Sequence, residues 1–300
     1  MNEFIDFPCP ICFKQSGKVY LESTLSSNQV VFGYKWTPQV REHYRYLKCD
    51  ECKHVWASPR PSDLYGSYIE TKDDTYLSTS ELRRETSVKV IRILRKYIGN
   101  GNKNKHKPRI LDVGCSTGDF LLEAQKDFEV EGVELSSWAV DIARSHDLKV
   151  FTQNIETLDV PKTKYDCISM WGVIEHLENP YDAIDNLSKF LNQDGIVAIW
   201  TGNVFSVPSK IFRENWWYIM GQHINLFSQT SLDKIMSANG LARVTKRIYP
   251  YVITMNYLGE SMKRYKFLST LTRFLQSKIV RDLKIVLYLP GEMFSIYRKI

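Results

Sequence analysis

The stretch that decides the fold is Arg109-Ile110-Leu111-Asp112-Val113-Gly114-Cys115-Ser116-Thr117-Gly118-Asp119-Phe120. A short apolar run ends in an acid and a glycine-bearing turn, and a helix-like run from Phe120 to Lys126 follows. Glycine lets the backbone turn sharply and come close to a ligand where a Cβ would collide. The turn hands over to a helix N-terminus, whose free N–H groups favour anionic or polar ligand atoms. Strand, glycine turn and helix together open a mononucleotide-type α/β unit. Twenty residues after Gly114, a second strand-like run, Phe128 to Val133, ends in Glu134. An acid at that tip is placed to accept the hydroxyls of a ribose.

Working outward, Ser136 or Ser137 is expected to cap a helix over Trp138–Ser145, and a third strand is expected near Leu148–Phe151, with Asn154 just beyond it. Asp166–Trp171 reads as a buried fourth strand that runs into Gly172-Val173-Ile174-Glu175-His176-Leu177. A helix over Tyr181–Leu191 and a strand over Ile196–Trp200 follow. Beyond them, Phe205, Phe212, Trp216, Trp217 and Tyr218 form an aromatic segment suited to stacking on sugar rings or to core packing. Ser231–Ala238 reads as helix, Leu241–Ile248 as strand, and Glu292–Lys299 as the final strand. Apolar residues recur at helical spacing over 257–288, which predicts basic amphipathic helices inserted before that last strand.

Ahead of this core lie Cys9-x-x-Cys12 and Cys49-x-x-Cys52, with 36 residues between the pairs. In a reducing compartment such pairs read as a closed tetrahedral zinc site rather than as disulfides. Residues 1–62 are therefore expected to be a zinc ribbon, with strand-like pieces at Gln29–Tyr34 and His43–Lys48 and with His54 on its surface. Ser58-Pro59-Arg60-Pro61-Ser62 is a rigid exit. Residues 63–107 form a linker carrying Tyr65, Tyr68 and Tyr76, then a helix from Ser80, its N-cap, to a stop at Gly99. The linker either packs locally or closes over the ligand pocket.

Charge is unevenly spread over the net +6. Residues 108–256 hold 13 basic and 19 acidic side chains, whereas 257–300 hold 9 and 3. An acidic centre speaks against a long phosphate-binding groove, so nucleic acid is a disfavoured partner. The basic tail has three readings: a solvated face on the sheet, a lid over a phosphorylated acceptor, or a peripheral contact with anionic lipid. No run of 18 apolar residues and no signal-like N-terminus occurs, so the expected location is cytoplasmic, with peripheral attachment at the inner membrane face as a variant.

With Asp112-Val-Gly-Cys-Ser-Thr-Gly118, Glu134, Asp166 and Glu175-His176-Leu177-x-x-Pro180, the chain resembles the class I S-adenosylmethionine-dependent methyltransferases. The cysteine pairs, the Ser-Pro-Arg-Pro exit and Gln222-His223-x-x-x-Phe227-Ser228 resemble a bacterial subgroup that often methylates sugars of surface polysaccharides or secondary metabolites. The resemblance implies a Rossmann-like α/β domain over 108–300, with a seven-stranded sheet whose last strand is antiparallel. It implies a cofactor pocket shaped by Asp112, Gly114, Cys115 and Gly118, with Glu134 on the ribose and Leu135 beside it. Asn154 and Ile155 lie where adenine is read, and Met170 and Trp171 line the floor by the sulfonium. Ser116 departs from the glycine usual at its position, and Gly221-Gln222-His223 departs from the His-Glu-His run of deoxysugar C-methyltransferases. O-methylation of a sugar or glycan precursor is then the expected activity. His223 is the candidate base, with helix capping as its other reading, and His176 either braces its loop or acts chemically. An RNA methyltransferase gripping RNA through the ribbon, or a subunit that binds cofactor without turnover, are the alternatives.

Overall fold

Short apolar runs alternating with amphipathic stretches form a parallel sheet because each strand must be covered on both faces. In the computed structural model, which describes residues 3–26, 31, 41–69, 72–98, 107–159 and 161–300, this happens from Arg109 onward. The central sheet contains β1 (Arg109–Val113), β2 (Glu129–Val133), β3 (Val150–Phe151), β4 (Tyr165–Trp171), β5 (Leu191–Gly202), β6 (Leu241–Arg247) and β7 (Glu292–Lys299). Their order is β3-β2-β1-β4-β5-β7-β6. The first five run parallel, and β7 lies antiparallel between β5 and β6. The expected seven-stranded methyltransferase-type sheet is thus present. Connections leave β1 in one direction and β4 in the other, so the crevice between them opens at the carboxyl ends of both strands.

After two short linker helices, Tyr65–Ile69 and Asp74–Leu77, the helices are α1 (Ser80–Leu94), α2 (Asp119–Ala124), α3 (Ser137–Ser145), α4 (Pro180–Phe190), α5 (Val207–Phe212), α6 (Gln229–Ala238), α7 (Met255–Met262) and α8 (Ser269–Leu275). Ser136 caps α3 by accepting from the Ala139 N–H. A reciprocal Ser228–Ser231 box starts α6 two residues before the expected start. The N-cap of α1 is Thr79, not Ser80. Ser80 is the first helical residue, and its hydroxyl bonds the Asp119 carboxylate and ties α1 to α2. Gly99, most of the 101–107 loop and most of Gln29–Tyr34 lie outside the described residues.

Two expectations need correction. Residues 284–288 are not helical: Lys284–Tyr288 is a strand paired antiparallel with Pro250–Thr254. Its residues alternate between exposed and half-buried, a period of two that helical counting of the apolar positions conceals. His54 is not on the surface. It is fully buried, with Nε2 3.2 Å from Asn225 Oδ1 and Nδ1 3.4 Å from Ser231 Oγ.

His54 is buried because the N-terminal segment does not stand apart. Its strands Gly17–Leu21, Tyr46–Cys49 and Val55–Ala57 are joined by Asn225–Leu226 from the C-terminal half to make one four-stranded sheet. Cys9, Cys49, Cys52 and Trp56 share an apolar core with Leu111, Ile168 and Phe227. A segment of this size has too little core of its own to be stable alone, and the shared strand supplies the missing contacts.

Candidate functional site

The turn after β1 is built from left-handed residues: Gly114 at φ 67°, Ser116 at 46° and Gly118 at 85°. A Cβ on Gly114 would stand 2.5 Å from Val173 Cγ2, so only glycine lets the loops after β1 and β4 lie against each other. Ser116 adopts this conformation at a cost on the order of 1 kcal/mol. Its N–H donates to Glu134 Oε2 at 2.9 Å, which helps to hold it there.

Between these loops lies a cavity of about 170 Å³. Gly114, Ser116, Glu134, Leu135, Asn154 and Ile155 line it, together with Trp138, Gln153, Trp171 and Val173. The Glu134 carboxylate accepts three backbone N–H bonds: Leu135 at 2.7 Å, Ser136 at 2.9 Å and Ser116 at 2.9 Å. Burial pushes its carboxyl above the usual range, and those three donors oppose the rise. They occupy three of a carboxylate's roughly four acceptor sites. Asp112, Cys115, Gly118 and Met170 stand behind the lining rather than on it. Asp112 accepts from Ser169 Oγ at 2.6 Å, and burial pushes its carboxyl up to about 8. Met170 is fully buried among the core side chains.

The far wall comes from the linker. Tyr65, Tyr68, Asp73 and Tyr76 all line the cavity. Tyr76 is clamped by the Arg83 guanidinium 3.3 Å from its ring centre, and Arg83 is bonded in turn to Asp119 at 2.7 Å. Tyr65 accepts the Glu178 N–H at 2.9 Å, and the Tyr68 hydroxyl lies 2.9 Å from His176 Nδ1. The tyrosine spacing in the sequence was the only signal of this wall.

Of the two histidines, His176 is on the cavity wall and His223 is not. The rings lie 4.8 Å apart, with His223 behind and its Nδ1 donating to the Tyr218 carbonyl at 2.8 Å. Burial pushes His176 down to about 4, and burial together with His176 pushes His223 well below the usual range, so both are neutral near pH 7. Beside them, Glu175 accepts from Thr201 at 3.0 Å and from the Tyr218 hydroxyl. A second buried carboxylate, Glu292, was missed in the sequence because it opens the last strand with no motif around it. It accepts from Trp200 Nε1 and Trp217 Nε1, both at 2.9 Å, and from the Tyr251 hydroxyl at 2.8 Å. Burial pushes both carboxyls up to about 7.

At the N-terminal segment the four thiol sulfurs lie within 4.8 Å of one another. Cys9 and Cys52 are 3.4 Å apart, Cys12 and Cys49 3.5 Å. A tetrahedron of ~2.3 Å zinc–sulfur bonds has edges of about 3.8 Å. A disulfide would need about 2.05 Å.

Residues 82–246 match the family described as "Methyltransferase domain". The chain belongs to the class I S-adenosylmethionine-dependent methyltransferases. Among curated relatives it is 29% identical over 120 residues to a ubiquinone biosynthesis O-methyltransferase of Glaesserella parasuis, covering 36% of this chain and 50% of that one. It is 31% identical over 104 residues to the protein of the same name from Alkalilimnicola ehrlichii, covering 32% and 42%. The chain thus spans half or less of these relatives' length. A solved S-adenosylmethionine-dependent methyltransferase of Archaeoglobus fulgidus shares the fold at 18% identity, with a TM-score of 0.51, 76% of this chain covered and 100% of that chain.

The raised carboxyls make stability depend on pH. Glu175 and Glu292 bind a proton more tightly folded than unfolded, so their stabilising contribution is full below about pH 4.5 and lost as pH rises through about 7. Relative to wild type, Glu292→Gln should therefore gain stability between pH 5 and pH 8, at up to about 1.4 kcal/mol per unit. Urea denaturation at each pH checks this, and a difference that stays constant across the range would contradict it.

Proposed function

We propose that the cavity beside the Gly114 turn seats S-adenosylmethionine and that the enzyme methylates a hydroxyl of a sugar or glycan precursor. The observation that carries the first part is the Glu134 carboxylate on the cavity wall, held by the same backbone that forms the glycine turn. Its remaining acceptor capacity suits a ribose hydroxyl. Asn154 and Ile155 on the same wall suit the adenine, and Trp171 the sulfonium end, with Asp112, Cys115, Gly118 and Met170 supporting the wall from behind. When bound, the cofactor supplies a methyl group on a positively charged sulfur.

The chain's own residues then have to align the acceptor and take its proton. In-line alignment supplies much of the rate in such a displacement. The acceptor hydroxyl gives its proton to the neutral His176 at the wall, while His223 behind it orients the pair through its bond to the Tyr218 carbonyl. The names of the curated relatives support oxygen as the methylated atom. The cysteine pairs and the Gln222-His223-x-x-x-Phe227-Ser228 run, which resemble the sugar-methylating subgroup, support a sugar acceptor, whereas Trp216 and Tyr218 of the aromatic segment pack in a core. The acidic charge of residues 108–256 tells against RNA. The four thiols hold structural zinc, closing residues 1–62 as a ribbon on the catalytic half.

Glu134→Ala is expected to weaken S-adenosylhomocysteine binding at least about tenfold by calorimetry, the loss of one charge-assisted contact; unchanged affinity would remove the ribose assignment. His176→Ala should lower kcat by ~10²–10⁴ with cofactor affinity retained. Turnover equal to wild type would dismiss it as the base. The acceptor is tested by transfer of labelled methyl into nucleotide sugars, lipid-linked glycans and total RNA, where label in RNA alone would overturn the sugar reading. Metal analysis should find about one zinc per chain, lost in Cys49→Ser. Wild-type protein free of zinc would refute the ribbon assignment.

A further inference from the structure

Helix α8 has its apolar residues on the wrong side for a core helix. It buries Thr272 and Leu275 while Leu271 and Phe274 face outward. Phe267, 76% exposed, sits in the short 3-10 turn Lys266–Leu268 that leads into α8 and adds a third outward apolar side chain. Ile279, 90% exposed, and Leu283 follow in the next turns. On α5, Val207 and Ile211 make a second outward stripe, each 69% exposed.

The two stripes belong to elements that are locked together. The Phe212 ring at the end of α5 packs 4.8 Å from the Tyr265 ring just before α8. Arg264 is 3% exposed and donates to the carbonyls of Asn215 at 3.1 Å, Trp216 at 3.4 Å and Ile219 at 3.3 Å. A guanidinium buried against backbone carbonyls fixes the segment that carries Phe267 to the segment that follows α5. The exposed apolar residues thus sit on two elements fixed to each other.

Charge separates the lysines and arginines of this region into two sets. Lys263, Arg281 and Lys284 are paired with Glu260, Asp282 and the Glu81–Glu85 pair. Lys210, Lys266, Arg273 and Lys278 are exposed, and none of them forms an ion pair among the described residues. They stand one to a few residues from the exposed apolar side chains. Protruding large apolar residues interleaved with uncompensated cations are what binding in the headgroup layer of an anionic bilayer requires. A protein–protein interface, by contrast, is depleted in lysine. No helix of the described residues is long and apolar enough to cross a membrane, so the contact is peripheral.

We infer that α5 and α8 form a platform that docks on an anionic lipid surface, with Phe267, Leu271, Phe274 and Ile279 entering the boundary between headgroups and acyl chains. Lys266, Arg273 and Lys278 meet the lipid phosphates. The docking does not depend on which acceptor the enzyme methylates.

Co-sedimentation of the full chain with vesicles tests this. Wild type should bind vesicles containing phosphatidylglycerol at least about tenfold better than pure phosphatidylcholine vesicles, and should lose that preference in ~0.5 M salt. A Phe267→Ser, Phe274→Ser, Ile279→Ser variant should bind at least about tenfold less, with S-adenosylhomocysteine affinity unchanged as the control for folding. Lys266→Glu, Arg273→Glu, Lys278→Glu should remove the preference for anionic lipid. Failure of wild type to bind the anionic vesicles, or serine-variant binding equal to wild type, overturns the inference. If ultracentrifugation finds instead a dimer that the serine variant dissociates, the surface is an interface between copies and the lipid assignment falls.

Discussion

Everything at the site depends on one close approach. The loops that leave β1 and β4 must lie against each other at the point where the chain's connections diverge, and they can do so only because Gly114 has no side chain to meet Val173. That contact sets the width of the crevice. It also places the Ser116 N–H where Glu134 can accept from it, so the tip of β2 is tied to the turn after β1. A single carboxylate therefore both finishes the turn's hydrogen bonding and lines the cavity that the turn opens.

Next to the histidine pair, behind the cavity wall, two buried carboxylates organise the packing. Glu175 and Glu292 each collect hydroxyl or indole donors, and those donors come from different parts of the chain: Thr201 and Tyr218 for one, Trp200, Trp217 and Tyr251 for the other. Such groups draw remote segments together but are costly to ionise, which is why burial raises both. Tyr218 joins this network to the histidine pair, since its hydroxyl bonds Glu175 and its carbonyl holds His223. The aromatic segment after β5 is thereby tied to the histidine pair from behind, within a buried core.

What could be read from the sequence was whatever depends on local pattern. Val113 followed by Gly114, and Glu134 twenty residues on, announced two strands and the turn between them, because apolar runs and glycines act within a few residues. The rest depends on contacts between distant segments. His54 is buried only because Asn225–Leu226 adds a strand to the N-terminal segment's sheet, and nothing near His54 says so. Lys284–Tyr288 became a strand because Pro250–Thr254 was available to pair with it. The wall position of His176 rather than His223 follows from the stacking of two loops, 46 residues apart at the His176–Gln222 bond. The linker tyrosines were visible and pocket closure was one of two readings, but the choice needs Arg83 and Asp119, which hold Tyr76 in place.

None of the residues lining this cavity comes from the N-terminal segment, the aromatic segment or the basic tail, which leaves the cofactor seat as the claim on which the account rests. A crystal structure with S-adenosylhomocysteine tests it most directly. The account predicts that the ribose hydroxyls lie within hydrogen-bond distance of the Glu134 carboxylate, with the adenine beside Asn154 and Ile155. Ligand density away from the Gly114 turn, or a ribose that does not touch Glu134, would contradict it.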